Sequence, residues 1–289
     1  MRIHWYISSA AVALALSACA SGDGGEEAEQ FTAFSKTTPG ITYEMPAKTL
    51  VAEYTVNQFS DAVSVGDSEA RDATYQFALN DFGDFTKASL AIEPEVGLST
   101  PPEISFNTLQ GDGFVDAGLV FLVGSDYIAA AGGDLNTLDF VKLAVLSDHV
   151  AMSFEHQSFG VWLTGFFDSG GGQIEAMTAG APTLAAGIPN VEATYNGEST
   201  GVYVDAEDDP FLAFADFSAK VNFDTLAVTD ISATNTLVYD AINDVAGVNT
   251  GLDYTGSGTL AVDGTFSATI TATNDLAGNM DGLLYGPAA

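Results

Sequence analysis

The chain of 289 residues predicts an all-β fold, on three observations. From about Thr49 onward the text is short apolar or alternating runs broken by Gly, Asn, Asp and Pro, with hardly any helical periodicity. Strict alternation in Phe217 to Phe223 places one face of a strand on a core and the other in water. Thr255 to Val262 and Thr265 to Ala272 flank Asp263-Gly264, which reads as a hairpin with a two-residue type I′ loop.

Element by element, residues 1–18 read as a lipoprotein signal peptide. Arg2 supplies the basic start and Tyr6 to Leu16 an apolar stretch too short for a comfortable membrane span. Leu16-Ser17-Ala18-Cys19 then forms a lipobox whose only cysteine becomes the acylated first residue. Ala20 after it is compatible with forwarding to the outer membrane. Residues 19–48 are read as a flexible acidic tether, since Ser-Gly-Asp-Gly-Gly-Glu-Glu cannot bury enough surface to order itself.

Residues 49–180 form a β-rich N-terminal portion. Its strands are expected at Ala73 to Leu79, Ile104 to Phe106, the more buried Leu119 to Val123, Asp139 to Leu146, and Val150 to Phe167. Aromatics vanish and Gly-Gly-Gly and Ala-Gly-Ala-Pro punctuate the text between Asp168 and Pro189, which marks a boundary, with residues 181–289 as the second domain.

Composition narrows the function. Asp and Glu number 39 against 7 Lys plus Arg, a net charge of −32, which argues against nucleic acid as a partner and suits solvation in salt or attraction of cationic partners. No cysteine other than Cys19 exists, so stability must come from burial and strand pairing.

A series of short motifs runs from about Phe159 to the end. They are Ser158-Phe159-Gly160-Val161-Trp162, Ala193 to Gly197 with Thr200 to Val204, Ala215 to Val221, Leu252 to Gly258, and Gly282-Leu283-Leu284-Tyr285-Gly286-Pro287. In this order, behind a lipobox, they resemble the β-barrel domain of the transferrin-binding protein B family of surface lipoproteins. The resemblance implies a C-terminal eight-stranded antiparallel barrel preceded by a second β-rich portion. It implies capture of an iron-carrier protein, haem or a haemoprotein instead of catalysis, display on the cell surface by a lipid anchor, and a dedicated surface-export translocon. Relatives continue past Tyr-Gly-Pro with a further acidic strand, whereas this chain stops at Ala288-Ala289, so the barrel is expected to lack its closing strand. A structural or assembly lipoprotein with no soluble ligand is the alternative.

Candidate ligand-binding residues are His149, His156 and Trp162. Imidazole is the obvious partner for haem iron, although no cofactor is certain. On one continuous strand the odd separation of His149 and His156 sends them to opposite faces, against joint chelation unless a turn intervenes. Trp162, in the aromatic-rich run from Phe154 to Phe167, is read as core before interface. Gly197-Glu198-Ser199-Thr200-Gly201 matches a hydrolase pattern without the helix that the chemistry needs, and the chain is read as no enzyme. Asp205 to Asp209 with Asp216 has calcium-loop spacing, but Pro210 stands where glycine is required, and no metal site is expected.

Overall fold

The computed structural model describes residues 28–56, 63–94, 104–116, 119–124, 141–165, 170–183, 191–204, 210–240 and 245–286. Cys19, the lipobox and the acidic Asp205 to Asp209 run lie outside the described residues. The fold is all-β, as the sequence predicts, with a near-closed eight-stranded antiparallel barrel and a second, curled sheet of six strands. The order along the chain is the reverse of the expected one. The barrel occupies the N-terminal half, and the C-terminal portion is the half-barrel.

The barrel is an up-and-down meander. It runs through β2 (Thr42–Val56), β3 (Val63–Leu79), β4 (Phe85–Ile92), β5 (Ile104–Asn107), β6 (Gly113–Asp116), β7 (Leu119–Val123), β8 (Val141–Ser147), β9 (Gln157–Gly165) and β10 (Gly170–Gly180). Pairing follows chain order, and β10 returns antiparallel to β2, from Gly170↔Val56 to Ala179↔Ala47. β5 pairs β4 and β6 pairs β7, but β5 and β6 do not pair with each other. Antiparallel alternation round the ring gives both the same direction, so they are two halves of one interrupted strand, and the eighth position of the barrel is filled. β1 (Glu29–Gln30) adds in parallel to Tyr43 and Glu44 of β2. Strand structure thus starts well before Thr49.

An eight-stranded barrel leaves an interior that side chains can fill. Here the alternation of each strand sends Tyr43, Met45, Tyr75, Phe77, Leu90, Phe106, Leu122, Leu146, Trp162 and Met177 inward as one apolar core. The residues between them face out, and Tyr54, Val145, Val161 and Ile174 on the outer wall pack against Val202 and Leu212 of the second sheet.

That sheet comprises β11 (Glu192–Val204), β12 (Pro210–Asn222), β13 (Ala227–Asp240), β15 (Tyr254–Leu260), β16 (Thr265–Ala272) and β17 (Ala277–Leu283), with the short β14 (Val245–Val248) beside β13. Its concave face holds a separate core that includes Val221, Phe223, Ile231, Tyr254, Ile270 and Met280. The β15–β16 hairpin forms where predicted, with Ala268, Ile270 and Ala272 buried between exposed neighbours. Its turn differs from the type I′ expectation. Gly264 has φ 87° while Asp263 is not in the positive-φ region, Gly264 N–H bonds to the Ala261 carbonyl, and Ala261 N–H bonds to that of Thr265. This is a three-residue loop ending in a glycine bulge. The Asp263 carboxylate accepts from the Thr265 N–H and hydroxyl at 3.0 and 2.7 Å, which fixes the turn.

Beyond β17 the chain returns to the barrel. Tyr285 bridges to Pro182, its hydroxyl accepts from Thr178 Oγ1 at 3.2 Å, and Gly286 N–H reaches the Ala181 carbonyl.

Candidate functional site at one end of the barrel

Two turns and the N-terminal segment meet at the barrel end where β3 finishes and β9 begins. The first turn, Asn80 to Asp84, is tied by its own side chains: Asn80 Oδ1 accepts from Phe82 and Asp84 N–H at 2.8 and 3.0 Å, and Asn80 Nδ2 donates to Asp84 Oδ2 at 2.8 Å. Gly83 takes φ 90°, a conformation that favours glycine. This turn presents Phe82 to solvent, 87% exposed. The second turn, Asp148 to His156, coils back on itself. Asp148 Oδ1 accepts Val150 N–H at 2.8 Å, and Met152 and Phe154 N–H groups return to the Asp148 and His149 carbonyls. It leaves Val150 64% exposed. The predicted strand from Val150 therefore begins only at Gln157, because this turn satisfies its backbone groups locally.

The N-terminal segment closes the end. Phe31 and Phe34 are buried against Phe77, and Phe34 N–H donates to the Glu155 carbonyl at 2.9 Å. Ser35 donates to the Glu155 carboxylate through its N–H and its hydroxyl, and the hydroxyl bond, ahead of the amide one, lowers the Glu155 pKa. His156 Nδ1 lies 2.9 Å from the Thr32 carbonyl, so this ring serves as a tie for the segment.

His149 is in a different setting. Its ring stacks on Phe34 at 4.0 Å between centroids and meets Phe85 edge-on at 5.9 Å. Its Nδ1 is buried with no hydrogen-bond partner among the described residues. Burial lowers its pKa more than the neighbouring carboxylates of Asp148 and Glu155 raise it, so the imidazole is uncharged at neutral pH. Beside it opens a cavity of about 180 Å³ lined by Phe82, Phe85, Val120, Asp84, Asp148 and Val150 among others. A cavity lined by apolar side chains together with two acidic residues and an imidazole has the composition of a binding site.

The turn thus intervenes between the two histidines, yet their roles diverge: His149 faces the cavity and His156 fastens the N-terminal segment. Among the described residues no group of three or more His, Cys, Asp or Glu is placed to hold a metal ion. Trp162 lies at the centre of the barrel, fully buried between Tyr75 at 6.0 Å and Phe106 at 5.7 Å. It is core.

One inward group escaped the sequence reading. Glu175 of β10 stands directly across from Trp162 and Val51, wholly buried, with neither carboxylate oxygen partnered among the described residues. Burial raises its pKa to about 8, so it is protonated at neutral pH. The Trp162 Nε1 is also buried without a partner among the described residues.

The Gly-Glu-Ser-Thr-Gly pentapeptide runs straight within β11, where Ser199 Oγ approaches the Ala215 carbonyl at 3.5 Å, so the strained turn of a nucleophile elbow is absent there. Asp216 sits on β12 and accepts from Asn235 Nδ2 at 2.6 Å. No protein-family model matches the chain, and no curated protein matches it.

Proposed function

We propose that this chain is an outer-membrane surface lipoprotein, anchored through Cys19, that captures a protein ligand such as an iron carrier or haemoprotein for nutrient uptake. The observation that carries the reading is the cavity beside His149, set between two side-chain-tied turns that hold Phe82 and Val150 out in water. Exposed apolar groups round a concave, partly polar site are the composition of an interaction surface. Supporting it from the sequence are the lipobox, the acidic segment behind it and the resemblance to transferrin-binding surface lipoproteins.

Size favours a protein over free haem. At about 180 Å³ the cavity falls below the roughly 300–1,000 Å³ of sites that enclose small organic ligands. It suits a single side chain.

The test is affinity capture by the immobilised mature protein from its native medium, run beside a variant carrying Phe82→Ala and Val150→Asp. The wild type is expected to retain a protein that the variant recovers at least about tenfold less, the loss of one interface hot spot. Equal recovery by both would remove this end as the binding surface, and no retention by either would favour the structural lipoprotein. A Soret band on haem titration that vanishes in His149→Ala would reinstate haem itself.

A further inference from the structure

We infer that the barrel end carrying Phe82 and Val150 rests on the lipid surface in which Cys19 is anchored, with these two apolar tips among the headgroups. The inference rests on the lipid anchor of the reading above and goes beyond it to the orientation of the anchored chain.

Tether length carries the argument. From Cys19 to Ala28, the first described residue, the chain has nine residues to span, which reach about 30 Å at full extension. Glu29 and Gln30 then pair with Tyr43 and Glu44 at the start of β2, and Phe31 and Phe34 pack on Phe77 near the finish of β3. The anchor therefore joins the fold at the histidine end. β2 runs 15 residues from there, and at the usual strand tilt of an eight-stranded barrel its far end stands about 35 Å away along the axis. That exceeds the reach of the tether, so an upright barrel meets the surface with the histidine end.

The same end suits an interface. Phe82 is 87% and Val150 64% exposed, and the two turns touch: a Cβ on Gly83 would stand 3.5 Å from Val150 Cγ2. Asn80 Oδ1 accepts the Phe82 N–H and Asp148 Oδ1 the Val150 N–H, both at 2.8 Å. An unsatisfied N–H is costly where water is scarce, and both tips have theirs satisfied within their own turns. Leu109, 89% exposed, stands on a third turn, whose Thr108 hydroxyl donates to the Thr86 carbonyl beside the start of β4. The carboxylates of Asp81, Asp84, Asp148 and Glu155 flank the tips, and with the net charge of −32 they oppose an anionic surface, so the fitting headgroup is zwitterionic. Two apolar side chains hold lipid weakly from free solution, but a short tether gives them an effective concentration on the order of mM, which populates the contact. A protein captured through the same tips competes with the lipid surface for them.

Cys19 is the only cysteine, so the mature chain couples through that sulfur to a maleimide lipid in phosphatidylcholine vesicles. Tryptophan fluorescence is read from Phe82→Trp and from Val248→Trp, each as the difference from the unsubstituted chain, whose Trp162 is enclosed in the barrel. Val248 is 71% exposed on β14, beside the part of β13 that joins the Tyr54 cluster at the far end of the barrel. In brominated phosphatidylcholine the Phe82→Trp emission is expected to shift to the blue and lose intensity relative to unlabelled lipid. Val248→Trp should keep the emission of an indole in water. Val150→Trp gives the same reading where Phe82→Trp perturbs its turn. No quenching at either tip would overturn the inference, as would equal quenching at Val248, which would mean that the chain lies on its side. Capture by the immobilised chain is measured without lipid, so capture without docking strikes only the orientation, and docking without capture strikes only the capture reading.

Discussion

At the scale of single residues, Glu175 is the clearest departure from a simple core. Its neighbours Ile174, Ala176 and Met177 are each buried as apolar β residues should be, yet the carboxyl points into the lumen beside Trp162. A buried carboxylate without a partner is costly, and the group avoids the cost by staying protonated. The consequence is a pH dependence of stability with a definite sign. In the unfolded chain Glu175 titrates near the ordinary glutamate value of 4.5, and in the folded one at about 8, so between these values the folded state binds more protons. Its contribution is most favourable below about pH 4.5, declines across the window up to about pH 8, and levels off above it. Glu175→Gln keeps the shape and removes the ionisation. Urea unfolding at pH 5 and pH 9 should show the wild type losing several kcal/mol more than the variant, at about 1.4 kcal/mol per unit of displacement. Parallel declines would mean that Glu175 reaches water or a counter-charge.

Among elements, the interrupted strand is the point where the barrel could open. β5 and β6 each pair on one side only, and residues 108–112 between them form a short turn ending at Gly111 with φ 98°. Lys142 of β8 spans this seam. Its Nζ donates to the Ser105 carbonyl at 2.5 Å and to Asp112 Oδ2 at 2.9 Å, and it sits 4.9 Å from the centre of the Phe106 ring. Asp112 in turn accepts Asn107 N–H at 2.8 Å. Gly124 makes room for the crossing, since a Cβ there would stand 2.7 Å from Lys142 Cγ. Lys142→Met retains the stem and deletes the charge, removing the ammonium from Asp112, which is 8% exposed. The lysine side chain is itself about a quarter exposed, so water screens part of the pair. A loss of about 2 kcal/mol is expected, with faster amide exchange confined first to Ile104–Asn107. Unchanged exchange there would show that the seam is held by β4 and β7 pairing without the clamp.

For the whole molecule, two cores and one shared wall define the assembly. The barrel encloses the first core, the half-barrel the second, and Tyr54, Val145, Val161 and Ile174 meet Val202 and Leu212 between them. Tyr54 lies against Gly165 and Gly172, where any Cβ would collide with its ring or hydroxyl, and burial pushes its own pKa up to about 12. Tyr285 and Gly286 supply a second tie near the histidine end. Leu212→Asp would bury a charge in the shared wall, at a cost of about 3 kcal/mol. Calorimetry is expected to split one transition into two, with β15 and β16 still protected from exchange. A single, merely shifted transition would mean that each sheet depends on the other to fold.

What the sequence by itself determined is what local chemistry can specify. The two-residue period of β12 and β16, the turn residues round Asp263-Gly264 and the acidic balance are all written in neighbouring residues or in composition. His149 was identifiable as a candidate by residue type alone. Only the tertiary structure decided that β10 pairs back onto β2, which puts the barrel in the N-terminal half and leaves the C-terminal strands as an open curl. It also brought Phe34, Phe82 and Phe85 to His149 from more than sixty positions away, assigned His156 to a tie with Thr32, and turned Glu175 inward opposite Trp162. The division has one cause. Strand periodicity is a property of a few consecutive residues, whereas registry and closure depend on which distant strands bury each other's faces, and no local pattern encodes that choice.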